Sequence, residues 1–218
     1  MALDLIIFDL DGTLVDSLDD LTVSVNVMRE SFAAAPLSRD QVQAMVGQGA
    51  RTLVERALPG RAAREIDRAL ALFLAHNEAH LAVHTRPYPG IPELLVQLRR
   101  AGTQLVVVSN KNATLCRQLL AELQLADHFA AIYGADSFAE RKPSPLPFQE
   151  VLRRLAIPAA QSLVVGDSAN DLLAAQAAGI PMVGCGYGYG TAEELRTATR
   201  LAASVAELTA ILMERVSC

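Results

Sequence analysis

Asp9 and Asp11 stand two residues apart at the end of an unbroken apolar run, residues 5–8. In extended chain that spacing turns both carboxylates to one side, where they repel unless a cation or a proton lies between them. Gly12 follows at once and lets the chain turn so that backbone amides approach a ligand; Thr13 comes next. A lone Asp-Gly would read as a solvated turn. Here other apolar runs also end in polar residues: Ser109 and Asn110 after residues 105–108, Asp136 after 130–133 and Asp167 after 163–165. A hard divalent cation such as Mg2+ prefers oxygen ligands, usually one or two carboxylates with water and phosphate, and Asp9 and Asp167 are placed to supply the carboxylates. A carboxylate can also act as nucleophile and form an aspartyl phosphate, while a second carboxyl two residues on moves protons for the leaving group and for water. Ser109 with neighbouring amides is suited to phosphate oxygens, and Lys142, preceded by Arg141, to balancing their charge.

The elements that must position these residues follow from pattern. Residues 5–8 read as a strand covered on both faces. Residues 16–86 read as helical throughout, with no strand candidate: a first helix after a Ser17/Asp20 capping pair, a second over 39–46 capped by Ser38, a third over 50–58, and one long helix over 61–83. Pro87-Tyr88-Pro89-Gly90 marks a boundary. Beyond it short apolar strands (105–108, 130–133, 163–165, 181–183) alternate with helices (93–101, 113–123, 146–155, 171–178). A Gly-rich segment, 184–190, follows the last expected strand as a flexible loop near the site, and two further helical stretches close the chain. Alternation of this kind implies a parallel sheet with helices on both faces, in which ligands bind at the carboxyl ends of the strands. The expected fold is therefore α/β, a doubly wound parallel sheet with a small all-helical cap inserted after the first strand. The core is 1–15 with 87–218 and the cap is 16–86.

Composition bounds the reading. With 218 residues, 51% of them hydrophobic, the chain can bury a large core or a core plus a small domain. A net charge of −5 without any basic run argues against nucleic acid as a partner. No apolar stretch reaches the ~20 residues a membrane helix needs, and acids interrupt the early apolar run as a leader would not. Three widely spaced cysteines, Cys116, Cys185 and Cys218, suggest a reducing compartment. The expectation is a soluble cytoplasmic protein, monomer or homodimer, acting on a small phosphorylated metabolite. The only two lysines are Lys111 and Lys142.

The segment Asp9-Leu10-Asp11-Gly12-Thr13-Leu14-Val15-Asp16-Ser17 resembles the first motif of the haloacid dehalogenase superfamily. Ser109-Asn110 is similar to the second motif, Lys142-Pro143-Ser144-Pro145 to the third, and Gly166-Asp167-Ser168-Ala169-Asn170-Asp171 to the fourth. The resemblance runs nearly end to end, toward phosphoglycolate phosphatase-like members with a mobile helical cap. It implies Asp9 as nucleophile and Asp11 as general acid/base. Phosphate contacts would come from Gly12, Thr13, Ser109, Asn110 and Lys142. Mg2+ would be held by Asp9, Asp167 and the backbone carbonyl of Asp11, with Asp171 in support behind them, and the first strand would lie mid-sheet.

Among members, dehalogenases lack the second acid, which is present here as Asp11. A Schiff-base chemistry needs a cap lysine, and residues 16–86 contain none. Sugar-phosphate phosphatases and mutases, pyrophosphatases and nucleotidases stay open beside 2-phosphoglycolate. Outside the enzyme class, a phospho-accepting receiver or an inactive binding scaffold is weighed. A receiver, however, carries adjacent acids rather than Asp-x-Asp, and no helical insert. In the cap, Gly47-Gln48-Gly49-Ala50-Arg51 resembles a substrate-facing loop in which Arg51 meets a substrate carboxylate; the alternative is an ordinary helix turn with a surface arginine. His76, His80 and His84 fall four apart, but lack a fourth ligand for zinc and read as cap residues. Asp136 reads as a cap or turn residue, and Lys111 as a neighbour of Asn110 without an assigned role.

Overall fold

The computed structural model describes residues 3–216; Cys218 lies outside them. In chain order the elements are β1 (Leu5–Phe8), β2 (Val15–Asp16), α1 (Leu18–Glu30), α2 (Arg39–Gln43), α3 (Gly49–Ala57), α4 (Ala63–Ala79), β3 (Arg86–Pro87), α5 (Ile91–Arg100) and β4 (Gln104–Val108). They continue as α6 (Ala113–Glu122), β5 (Ala131–Tyr133), α7 (Leu146–Leu155), β6 (Ser162–Gly166), α8 (Ala169–Ala178), β7 (Met182–Cys185), β8 (Arg200–Ala202) and α9 (Val205–Val216). Six strands form one parallel sheet in the order β5-β4-β1-β6-β7-β8. β1 therefore lies inside it, in register with β4 (Phe8 beside Val107) and with β6 (Phe8 beside Val165). All four residues of β1 are buried, as an unbroken apolar run between two helical layers requires.

Alternate residues of the strands feed separate cores. Ile6, Phe8, Val107 and Val165 pack with α5, α6 and α9 on one face, and Leu5, Ile7, Val106 and Val164 with α7 and α8 on the other. A third cluster, including Leu18, Val25, Leu53, Val54, Ile66 and Phe73, is built among α1, α3 and α4 themselves. The residues between the first strand and Pro87 thus bury apolar surface largely against one another.

Four expectations are corrected. The stretch 16–86 is not free of strand: Val15–Asp16 pairs antiparallel with Arg86–Pro87, a ribbon too short to show period-two alternation. Ser17 and Asp20 do not cap α1 as a pair. The Ser17 hydroxyl is given to Asp11 at 2.6 Å, and the buried Asp20 carboxylate accepts from the His84 and Thr85 amides and the Thr85 hydroxyl at 2.7–3.0 Å. The helix expected over 61–83 stops at Ala79, and the one over 39–46 stops at Gln43; Ser38 does cap the latter through a reciprocal pair with Gln41. Finally, a sixth strand, β8, follows the Gly-rich segment, and one closing helix follows it rather than two. β8 is a three-residue edge strand with two exposed side chains, so it carries no apolar run to reveal it.

Candidate active site

β1, β4 and β6 deliver their C-terminal residues to one end of the sheet. Asp9 leaves β1 with its amide bonded to Val165 of β6. Ser109 leaves β4 with its amide bonded to Tyr133 of β5. Asp167 leaves β6 directly before α8, whose N-terminus is closed by a reciprocal Ser168–Asp171 box. Residues separated by more than a hundred positions meet there because neighbouring parallel strands end level with one another.

Carboxylate oxygens of Asp9, Asp167 and Asp171 lie within 4.8 Å of one another. Lys142 enters beneath them almost fully buried. Its Nζ donates to Asp171 Oδ1 at 2.6 Å and to the Val108 carbonyl at 2.7 Å, and lies 3.0 Å from Asp9 Oδ1. Burial and the neighbouring Asp171 charge push the Asp9 carboxyl up to about 7, against the pull of Lys142. Burial, with the charges of Asp9 and Asp171, likewise holds Asp167 well above the usual carboxylate range. Burial disfavours the Lys142 ammonium, but Asp171 and Asp9 outweigh it and keep the group charged above its ordinary range. Three carboxylates against one cation leave an excess of buried negative charge, and hard oxygen donors in that arrangement suit Mg2+. Both Asp171 oxygens are already engaged, one by Lys142 and one by Ser168 at 2.6 Å. Asp167 is likewise held at both oxygens, by the Thr13 hydroxyl and the Tyr189 amide, but by neutral donors rather than by the Lys142 ammonium that occupies Asp171, and Asp9 keeps one oxygen to which no described residue donates.

Asp11 does not join this cluster. Its Oδ1 accepts from Ser17 Oγ at 2.6 Å, and the Lys111 ammonium straddles both oxygens at 3.0 and 3.2 Å. Sequence reasoning left Lys111 without a role; the signal available was the scarcity of lysine, since the only two both reach strand-end acids. Asn110 donates to the carbonyls of Gly47 in the cap and of Lys142, while its own Oδ1 is buried with no partner among the described residues. Asp136 caps α6 from outside, accepting from Asn112 Nδ2 and the Ala113 amide.

The Gly-rich segment is part of the site rather than a loose neighbour. The Tyr189 amide donates to Asp167 Oδ2 at 2.7 Å, and the Tyr187 hydroxyl donates to the Thr13 carbonyl at 3.0 Å. A β-carbon on Gly190 would collide with the Asp167 carbonyl oxygen, and one on Gly12, whose φ is +84°, with the Asp167 carboxylate. Both glycines are there because the backbone passes against this acid. Thr13 gives its hydroxyl to Asp167 at 3.0 Å and its amide to Leu10, and Gly12 gives its amide to Val15. Gly12 and Thr13 therefore shape the turn and hold Asp167, and their own donors are not turned toward a ligand.

A cavity of about 80 Å3 opens over Asp9, Asp11, Ser109 and Asn110, roofed by Leu53, Phe73 and other cap residues. Arg51 is not among its lining residues: its guanidinium is engaged by Asp67 and Glu55 on the exposed side of the cap. His76 and His80 stack at 4.2 Å, and His76 Nδ1 lies 3.0 Å from Ser24 Oγ.

Residues 6–185 match the model of the haloacid dehalogenase-like hydrolases. The chain belongs to that family. It is 44% identical over 188 residues to a phosphoglycolate phosphatase of Neisseria gonorrhoeae, covering 84% of this chain and 80% of that protein. It is 42% identical over 193 residues to one of Chromobacterium violaceum, covering 86% and 87%. Among solved structures, a predicted phosphoglycolate phosphatase from Haemophilus somnus superposes with a TM-score of 0.91 at 31% identity, over 96% of this chain and 97% of that one. CbbY from Rhodobacter sphaeroides, solved in complex with phosphate, superposes with a TM-score of 0.80 at 27% identity over 94% and 96%. Within the family the protein is a phosphoric monoester hydrolase, with hydrolase motifs and fold in agreement. Among the described residues no helix is long and apolar enough to cross a membrane.

Proposed function

We propose that this phosphatase is Mg2+-dependent, that it hydrolyses the small cytoplasmic metabolite 2-phosphoglycolate, and that it works through an aspartyl phosphate on Asp9. The observation that carries the reading is the Asp9–Lys142–Asp171 arrangement with Asp167 beside it, presented through Asp9 to a cap-covered cavity. The curated relatives' names supply the substrate. Residues 1–15 with 87–218 act as the catalytic core and 16–86 as the cap.

Asp9 Oδ1 is held by the Leu10 amide at 2.7 Å and by Lys142. The opposite oxygen, to which no described residue donates, attacks phosphorus. Fixing one carboxylate oxygen aims the other, and the reaction gains from that orientation. Ser109 with adjacent backbone amides holds phosphoryl oxygens, and Lys142 offsets the charge that spreads over them. Asp11 protonates the leaving alkoxide and then takes a proton from the water that hydrolyses the aspartyl phosphate. Ser17 and Lys111 set its rotamer for both steps. Mg2+, held by Asp9, Asp167 and the Asp11 carbonyl, would neutralise negative charge shared between nucleophile and phosphate. Asp171 supports these groups by locking Lys142 and the start of α8.

The test is a panel of 2-phosphoglycolate, pyrophosphate, hexose phosphates and nucleotides, with and without Mg2+, on the wild type and Asp9→Asn. Metal-dependent turnover that is highest on 2-phosphoglycolate and lost in Asp9→Asn is expected. A different preferred substrate overturns the substrate assignment; turnover that survives Asp9→Asn overturns the mechanism.

A further inference from the structure

A 2-phosphoglycolate-like substrate carries a second anion, and the arginine expected to meet it is turned away. Arg51 pairs with Asp67 and Glu55 outside the cavity. Lys142 is committed to Asp9, Asp171 and the Val108 carbonyl beneath the floor. Among the described residues lining the cavity, Lys111 is the one cation, and the cap wall opposite is largely apolar. An anion seated against that wall without a cation bears the full cost of leaving water.

Where the second anion must lie follows from connectivity. Asp11 has to reach the ester oxygen that it protonates. In a phosphorylated 2-hydroxy acid the carboxylate is one carbon removed from that oxygen, so it lies beside Asp11. Two carboxylates side by side repel unless a cation bridges them. The Lys111 ammonium already touches both Asp11 oxygens at 3.0 and 3.2 Å, and an ammonium has three donors. On the cap side, Asn77 of α4 lines the same cavity at 3% exposure, and no hydrogen bond falls on its carboxamide among the described residues. The Asn77 carboxamide is therefore open to the cavity rather than sealed away from it, and its donor is free to meet a ligand seated there.

We propose that Lys111 is the carboxylate-recognising residue of this enzyme, bridging the substrate's carboxylate to Asp11, and that the Asn77 amide donates to the same ligand from the cap. The inference rests on the phosphatase reading above. It makes specificity a property of the core loop after β4 together with α4, and it gives Arg51 no part in the selection.

The experiment compares 2-phosphoglycolate with ethyl phosphate, which has a methyl group where the carboxylate stands. The quantity read is the ratio of their kcat/KM values. Hydrogen bonds to charged groups predict that Lys111→Met lowers this ratio by about 10- to 100-fold, mainly through KM for 2-phosphoglycolate, with Lys111→Arg restoring part of it. Asn77→Ala is expected to lower it about 5-fold. A ratio within about threefold of wild type in Lys111→Met, with both substrates losing alike, would mean that Lys111 serves Asp11 alone and overturns the proposal. Wild-type indifference to the carboxylate overturns it too while leaving the phosphatase intact. Wild-type inactivity on both esters would instead remove the underlying reading. Asn77→Ala, distant from the Asp11 pair in sequence and on another element, keeps the test decisive if Lys111→Met fails to fold.

Discussion

Replacing Lys142 by methionine isolates the electrostatic design of the site. The side chain is almost fully buried and its ammonium meets two carboxylates and a carbonyl within 3.0 Å. Methionine keeps most of the volume and removes the charge, so packing is largely preserved. Breaking a buried ion pair from one side typically costs about 3–5 kcal/mol, because the partner charges are left uncompensated. Asp9, Asp167 and Asp171 would then face one another with no cation, and the wild-type upward shift of Asp9, which Lys142 opposes, would grow. Two conditions should relieve the penalty. Lower pH does so by protonating the acids, and saturating Mg2+ does so by supplying positive charge from outside. Urea unfolding of wild type and Lys142→Met, at pH 6 and pH 8, with EDTA or with Mg2+, gives the required four-way comparison. The expected loss is largest, about 3–5 kcal/mol, at pH 8 in EDTA, and smaller in each of the other conditions. A loss below about 1 kcal/mol at pH 8 in EDTA, the size of an exposed pair such as Arg153–Glu150, would refute the view that Lys142 neutralises this cluster. So would a loss independent of both pH and metal.

The wild type itself should show a related pH signature. Asp9 is raised from 3.8 to about 7, so between those values the folded state binds more protons than the unfolded one. Metal-free stability therefore falls as pH rises through that window, and Mg2+ should flatten the fall in thermal melts followed across it. Asp11→Asn should lower steady-state kcat by at least about 100-fold on alkyl esters and on p-nitrophenyl phosphate, since both pass through the same aspartyl phosphate, while the burst of p-nitrophenolate, a leaving group that needs no proton, should be slowed far less; a burst slowed as much as turnover would remove Asp11 from leaving-group protonation. Gly190→Ala pushes a methyl group against the Asp167 carbonyl, and should weaken Mg2+ activation of turnover about 10-fold or more with the fold retained by circular dichroism. Arg51→Ala should change kcat/KM for 2-phosphoglycolate by less than about twofold in steady-state assays, since its partners are Asp67 and Glu55.

What the sequence discloses and what it hides divide along physical lines. The strands that end at the site were readable because each carries a buried apolar run, Leu5 to Phe8, Leu105 to Val108 and Leu163 to Val165, that stops at polar residues: Asp9, Ser109 and, after Gly166, Asp167. The ribbon of Val15–Asp16 with Arg86–Pro87 has two residues on each side and no periodicity to detect. β8 is an edge strand exposed at two of three positions, held by its hydrogen bonding with β7 and by the one buried side chain, Ala202, so no apolar run marks it. Cap pairing failed for a different reason. Ser17 and Asp20 have the residue types for a helix start, but tertiary partners compete: Asp11 takes the serine hydroxyl, and the backbone at His84 and Thr85 takes the carboxylate. Arg51 illustrates the same limit, because charge complementarity with Asp67 across two helices is invisible to a local pattern.

The Gly-rich segment shows most clearly why spacing can carry a message that residue type does not. Alternating glycines are needed where the backbone runs against Asp167, and the residues between them are free to carry long side chains away from it. Those side chains are the tyrosines. Tyr187 reaches back to the Thr13 carbonyl. The Tyr189 hydroxyl accepts from the Ser17 amide at 2.7 Å and donates to Asp16 at 3.0 Å, while its carbonyl accepts from Gln43 of α2. One residue therefore bonds the acid at the end of β6, the strand that leads into the cap, and a helix of the cap. Ser17, in turn, holds Asp11. The pose of the cap and the rotamers of the two acids thus share hydrogen bonds, and a shift of the cap that breaks the Tyr189 contacts necessarily loosens the groups around Asp167 and Asp11. In this architecture the entry of the chain into the cap, at Asp16 and Ser17, is the place where substrate enclosure and acid positioning are the same set of bonds.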